Sequence, residues 1–190
     1  MNIDLKLRME RRNLIIRRIL YFVIAFFAFI LISTVKTDLP SALLLIPIAV
    51  CTAVFECDSP IYCSFFGAFC GLLLDFSADT LVSFNGIILT VCSMFTSLLF
   101  LFFLHRQPLN FFLLDMSAIL VQELLHYLFF FLLWGYDESG GIFKEVFIPE
   151  FIVTNISGIF IFILYKLISA FLGEVKDHYI EENTGDSQLN

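Results

Sequence analysis

Residues 67–79 read "GAFCGLLLDFSAD", in which Gly67, Gly71 and Asp75 recur at every fourth position within an otherwise apolar stretch. This stretch decides the fold, because the number of membrane crossings turns on whether it is a span. On a helix the three residues lie along one face, each a little over a turn beyond the last. Small-x-x-x-small faces let a second helix approach closely, which matters in lipid, where association rests on packing and hydrogen bonds. Asp75 then stands near the outer end of the span, beside that contact. Two readings are open. The face is either internal packing with an acid that reaches interfacial water, or it is functional, as a recognition seam for a partner helix or through a hydrogen bond that fixes the polar turn at Ser77, Asp79 and Thr80.

The surroundings favour a bilayer. Of the 190 residues, 59% are hydrophobic and 17% aromatic, against roughly 45–50% apolar in a soluble domain. A hydrocarbon core of about 30 Å needs about 20 helical residues, and six stretches approach that length: Ile19–Val35, Leu39–Phe55, Ile61–Phe76, Leu81–Leu104, Leu109–Trp134 and Phe147–Leu172. The third is the shortest. Basic residues set the orientation: Lys6, Arg8, Arg11, Arg12, Arg17 and Arg18 precede the first span, which places the N-terminus in the cytoplasm. Six spans then put Arg106, Lys166 and Lys176 inside and leave only Lys36 and Lys144 outside. A five-span chain lacking the third crossing would place Arg106 and the C-terminus outside, a poorer fit.

The sequence thus predicts an all-α polytopic membrane bundle of six transmembrane helices. A basic cytoplasmic segment covers residues 1–18, the transmembrane domain 19–172, and an acidic, disordered cytoplasmic tail 173–190. The first span is read as retained, since its basic leader is long and no small-x-small cleavage site follows it closely. The leader has the composition to lie on anionic lipid. The formal net charge of -7 averages this leader with the tail's Asp177, Glu181, Glu182 and Asp186, and nothing points to nucleic acid. Cys51, Cys57, Cys63, Cys70 and Cys92 form no C-x-x-C pair and read as small apolar packing residues.

The fifth span carries "LDMSAILVQELLH", with Asp115, Gln122, Glu123 and His126. At 100° per residue, Asp115, Gln122 and His126 fall within about 40° of arc and Glu123 about 80° from Asp115. A mid-membrane acid costs about 2.5–3.5 kcal/mol on insertion scales, and each Leu, Ile, Phe or Val returns about 0.3–0.6. The roughly sixteen such residues in this span therefore about balance its two acids, provided the polar stripe faces protein or water. Glu123 and His126 have the E-x-x-H spacing of di-iron bundles, but the other histidines, His105 and His178, lie at cytoplasmic positions. No metal or cofactor site is expected. An interhelical hydrogen-bond network and a proton relay through Glu123 and His126 are the two roles open to the stripe.

The last span opens "IPEFIVTNISGIF". Pro149 suits a helix start, Glu150 interacts favourably with the positive end of the helix dipole, and Asn155 and Gly158 offer a polar contact and a close-packing point. Under the six-span topology this end shares the outer side with Asp75.

Together, the basic start, "G-x-x-x-G-L-L-x-D" (Gly67, Gly71, Leu72, Leu73, Asp75), "FNG" (Phe84–Gly86) and "P-E-x-x-x-T-N" (Pro149, Glu150, Thr154, Asn155) resemble the rod shape-determining MreD family, from about Leu14 to Leu172. Where that family often shows "D-x-x-x-G-x-x-x-L-G", this chain has no glycine between Asp75 and Gly86. The resemblance implies a non-enzymatic subunit of the bacterial elongation machinery in the cytoplasmic membrane. Its implied partners are MreC, the MreB filaments, and RodA with its class B penicillin-binding protein. It implies a role in directing side-wall peptidoglycan synthesis, and a six-helix shape similar to energy-coupling factor S components. Gly67, Gly71 and Asp75, with the start of the last span, would form the surface that receives MreC.

The competing expectation is a substrate-binding S subunit of an energy-coupling factor vitamin transporter. Ala25 and Ala28 are a poor match to the Ala-x-x-x-Ala face of such subunits, and Asp115, Gln122, Glu123 and His126 would be the binding group. An intramembrane enzyme is not expected. No nucleophile motif, Walker loop or H-E-x-x-H accompanies the acids.

Overall fold

A computed structural model describes residues 3–34, 43–78, 83–104, 107–129 and 147–172. Among the described residues six α-helices follow one another: α1 (Ile3–Thr34), α2 (Leu45–Phe55), α3 (Pro60–Ala78), α4 (Phe84–Phe102), α5 (Pro108–Tyr127) and α6 (Ile148–Leu172). The chain is an all-helical, multi-pass membrane bundle. Five of these helices are long and apolar enough to cross a membrane, and the stretch containing Gly67, Gly71 and Asp75 is one of them. The expected fifth span ran to Trp134; α5 is described only to Tyr127, and residues 130–146 and the acidic tail, 173–190, lie outside the described residues.

The short element is α2, not α3. Its 11 residues rise only about 16 Å, half a hydrocarbon core, whereas α3 has 19. Residues 39–42 of the expected second span lie outside the described residues. Every residue of α2 from Leu45 to Val54 is buried, and α2 touches each of the other five helices. A helix that starts at membrane depth is tolerated where protein surrounds it. Pro47 falls in the first turn, where a missing N–H breaks no bond.

From Ile3 on, the basic leader is helical and continuous with the first span. It belongs to α1, whose 32 residues extend about 48 Å, well beyond one hydrocarbon thickness. The outer face of α1 shows Ile19, Val23, Phe26, Phe27 and Ile30, while Tyr21, Ala25 and Ala28 turn inward. Tyr21 stacks on Tyr165 of α6 with ring centroids 4.3 Å apart, and the Tyr165 hydroxyl shares a 3.0 Å hydrogen bond with Thr52 of α2. Three helices are thereby tied at one level of the core. All five cysteines are free thiols; Cys51, Cys57, Cys63 and Cys70 are buried.

Candidate functional site: two polar clusters at opposite ends of the bundle

The first cluster joins the C-terminal ends of α3 and α5 to the N-terminal ends of α4 and α6. Ser83, just before α4, has φ 80°, in the left-handed region, and its side chain makes no capping bond. A helix start normally takes a cap from its own N-cap side chain; here the neighbouring helix supplies it. The Asp75 carboxylate accepts the N–H of Asn85 through Oδ1 at 3.0 Å and that of Gly86 through Oδ2 at 3.3 Å. A buried carboxylate is thus satisfied by two orphan helix donors, with the helix dipole adding to the attraction.

The glycine face exists to permit this approach. A Cβ placed on Gly71 would lie 2.5 Å from the Cα of Gly86, and one on Gly67 would lie 2.5 Å from the Ser93 hydroxyl. No side chain fits between α3 and α4 there, and this is the most extensive helix pair in the bundle. The sequence left open whether Gly67 and Gly71 form an internal contact or a seam for another chain. The structure fills the face with α4, so a partner helix has no access to it.

The network continues to α5. Gln122 donates through Nε2 to the Asn85 side-chain oxygen, so Asp75, Asn85 and Gln122 link three helices. Glu123 is buried nearby, with its Oε1 unpartnered, and Glu150 of α6 lies within its electrostatic range. His126 is half-buried, its ring 6.4 Å from that of Phe84 and 6.1 Å from that of Phe147. On α6, Thr154 accepts the Leu43 N–H at 3.0 Å and so holds the entry to α2. Pro149 and Glu150 occupy the first turn, half-exposed. Asn155 donates back to the Phe151 carbonyl of its own helix at 2.8 Å.

Asp115 stands apart from this network. It is 0% exposed, and both of its carboxylate oxygens are buried without a hydrogen-bond partner. Gly158 of α6 makes the room: a Cβ there would lie 2.5 Å from Asp115 Oδ2 and 3.5 Å from Pro47 of α2. The stripe read from α5 therefore divides into a bonded member, Gln122, and an orphan, Asp115. Among the described residues no group of three or more His, Cys, Asp or Glu side chains is placed to hold a metal ion.

The second cluster sits at the opposite end, and its pairing was not legible in the sequence. Glu56, just past α2, is buried and paired with both Arg17 and Arg18 of α1. Arg17 is buried as well. Arg18 reaches Glu56 Oε2 from Nε at 3.3 Å and Ser59 Oγ from Nη2 at 3.0 Å, with its guanidinium 4.2 Å from the Tyr62 ring centroid. In the sequence the two arginines count only toward orientation and Glu56 only as a span boundary. The available signal was an acid directly after a wholly apolar helix, which needs a cation from elsewhere in the chain.

Comparison with family models, with curated proteins and with solved structures finds no match to this chain.

Proposed function

We propose that this chain is a non-enzymatic membrane subunit of the bacterial cell-elongation complex. It sits in the cytoplasmic membrane with both termini inside, pairs with MreC, and organises side-wall peptidoglycan synthesis alongside RodA, its class B penicillin-binding partner and MreB. One observation carries the reading. Two of the motifs that underlie the MreD resemblance interlock, Asp75 of the first capping Asn85 and Gly86 of the second, while Thr154 of the third anchors the start of α2 at the same end of the bundle. Because α4 occupies the Gly67–Gly71 face, MreC must approach another surface, and the half-exposed first turn of α6 at Pro149 and Glu150 is the remaining motif segment at that end.

The test is depletion of the protein in its rod-shaped host. Loss of rod shape, restored by the wild-type copy, is the expected result; unaltered morphology at full depletion contradicts the proposal.

The competing reading, an S subunit of a vitamin transporter, draws on the orphan Asp115 in the core. Against it, Asp115 and Gln122 are closed in by α2, α4 and α6, while sites for small molecules are clefts of about 300–1,000 Å³. Binding of a vitamin-sized ligand by the purified protein, abolished in Asp115→Asn, would favour the transporter.

A further inference from the structure

We infer that Arg11 and Arg12, on the outer surface of α1, form a binding site for phospholipids of net negative charge, of the phosphatidylglycerol class. The inference is independent of which proteins the chain partners. It rests on how α1 divides its arginines into two pairs, Arg11 with Arg12 and Arg17 with Arg18, that differ in depth, in pairing and in facing.

Depth comes first. The helix ends at Thr34, just before Lys36 and Asp38 in the chain, which sets one membrane boundary there. From Thr34 back to Arg17 is about 26 Å of helix, and back to Arg11 about 35 Å. A hydrocarbon core is about 30 Å thick, and about 40–45 Å with its headgroup layers. Arg17 and Arg18 therefore fall at hydrocarbon depth, whereas Arg11 and Arg12 fall in the headgroup layer. A tilt of about 20° preserves the division.

The pairing follows the depth. Arg17 and Arg18 are both held by Glu56, as charges within the bilayer require a counter-charge. Among the described residues no salt bridge takes in Arg11 or Arg12, and both side chains are exposed. At the level of the lipid phosphates their forked donors meet oxygens that suit them.

The facing supplies room for the rest of the lipid. Arg12 shares about 40° of arc with Ile19, Val23 and Ile30, all exposed, and Ile15, also exposed, lies one turn further into the bilayer from Arg11. A headgroup held by the two guanidiniums thus has its acyl chains along a continuous apolar line of α1. Phosphatidylcholine offers a phosphate as well, but its quaternary ammonium cancels that charge and is repelled by two adjacent cations. A headgroup without a cation escapes this repulsion, and each basic residue beside an anionic lipid surface is worth about fivefold in affinity.

The test uses the full chain, purified in detergent, stripped of lipid and titrated with dioleoyl phosphatidylglycerol and dioleoyl phosphatidylcholine, with bound lipid counted by native mass spectrometry. Phosphatidylglycerol is expected to bind more tightly. Replacing both residues, Arg11→Gln with Arg12→Gln, should weaken it about 25-fold, about fivefold for each, and bring the two lipids close to parity. Both positions are exposed, so this variant keeps the fold. Arg18→Gln, whose charge already faces Glu56, should retain the preference. Equal binding of the two lipids by the wild type, a preference that survives the double substitution, or an equal loss in Arg18→Gln overturns the proposal. Displacement of the lipid by millimolar glycerol 3-phosphate also overturns it, because a soluble-anion site would then account for the binding.

Discussion

The Asp75 carboxylate on α3 stands 3.0 Å from the backbone nitrogen of Asn85 and caps the first turn of α4. An acid within a membrane-spanning stretch is thereby explained by a helix start that has no cap of its own, since Ser83 is in the left-handed region and its side chain makes no capping bond. Asp75→Ala removes two charge-assisted acceptors and should cost about 2–3 kcal/mol. Asp75→Asn, which retains one acceptor oxygen, should cost less. Unfolding in mixed micelles checks the order; equal stability of both variants with wild type would remove the capping role.

The glycines make a contrasting pair. A Cβ on Gly71 meets backbone at Gly86 Cα at 2.5 Å, while a Cβ on Gly86 meets Leu72 side-chain atoms at 3.5 Å and Asp75 Oδ2 at 3.8 Å, ordinary contact distances. Gly71→Ala should therefore push α3 and α4 apart and lose about 1–3 kcal/mol. Gly86→Ala should remain within about 0.5 kcal/mol of wild type. The same micelle unfolding assay decides, and a Gly86→Ala defect as large as that of Gly71→Ala would contradict the geometry.

These two relationships also mark what can be read from the chain alone. The periodicity of Gly67, Gly71 and Asp75 is local, so the existence of a close-packing face is legible; which helix fills it is a tertiary fact. The same limit applies to α5. Its polar stripe follows from 3.6-residue spacing, but nothing local says that Gln122 finds Asn85 while Asp115 finds no donor. The apolar run before Glu56 reads as an ordinary span because composition does not reveal that protein rather than lipid encloses α2. Glu56 and its arginines are separated by 39 and 38 residues, beyond the reach of any pattern argument.

Breaking that ion pair from one side should be costly. Glu56→Gln leaves the buried Arg17 guanidinium without its counter-charge, a loss of about 3–5 kcal/mol for a buried pair. Arg18 is more exposed than Arg17, so Arg18→Gln should cost under about 1 kcal/mol. A double-mutant cycle over Arg17 and Glu56 measures the coupling directly; a coupling near zero would show that the pair does not hold α1 to α2.

Asp115 behaves in the opposite sense. A buried acid without a hydrogen-bond partner is a burden on stability, so Asp115→Asn should unfold no more readily than wild type. A loss above about 1 kcal/mol would reveal a donor that stabilises it. If stability holds while rod-shape complementation fails, Asp115 serves function rather than folding, as intramembrane acids commonly do.

The most direct test of the central claim is purification of the tagged protein from its native membrane in mild detergent, with the co-purifying proteins identified by mass spectrometry. Recovery of MreC together with the wall synthases is the expected result. Recovery of ATPase and coupling subunits in their place would contradict the elongation reading and make this chain a transporter subunit.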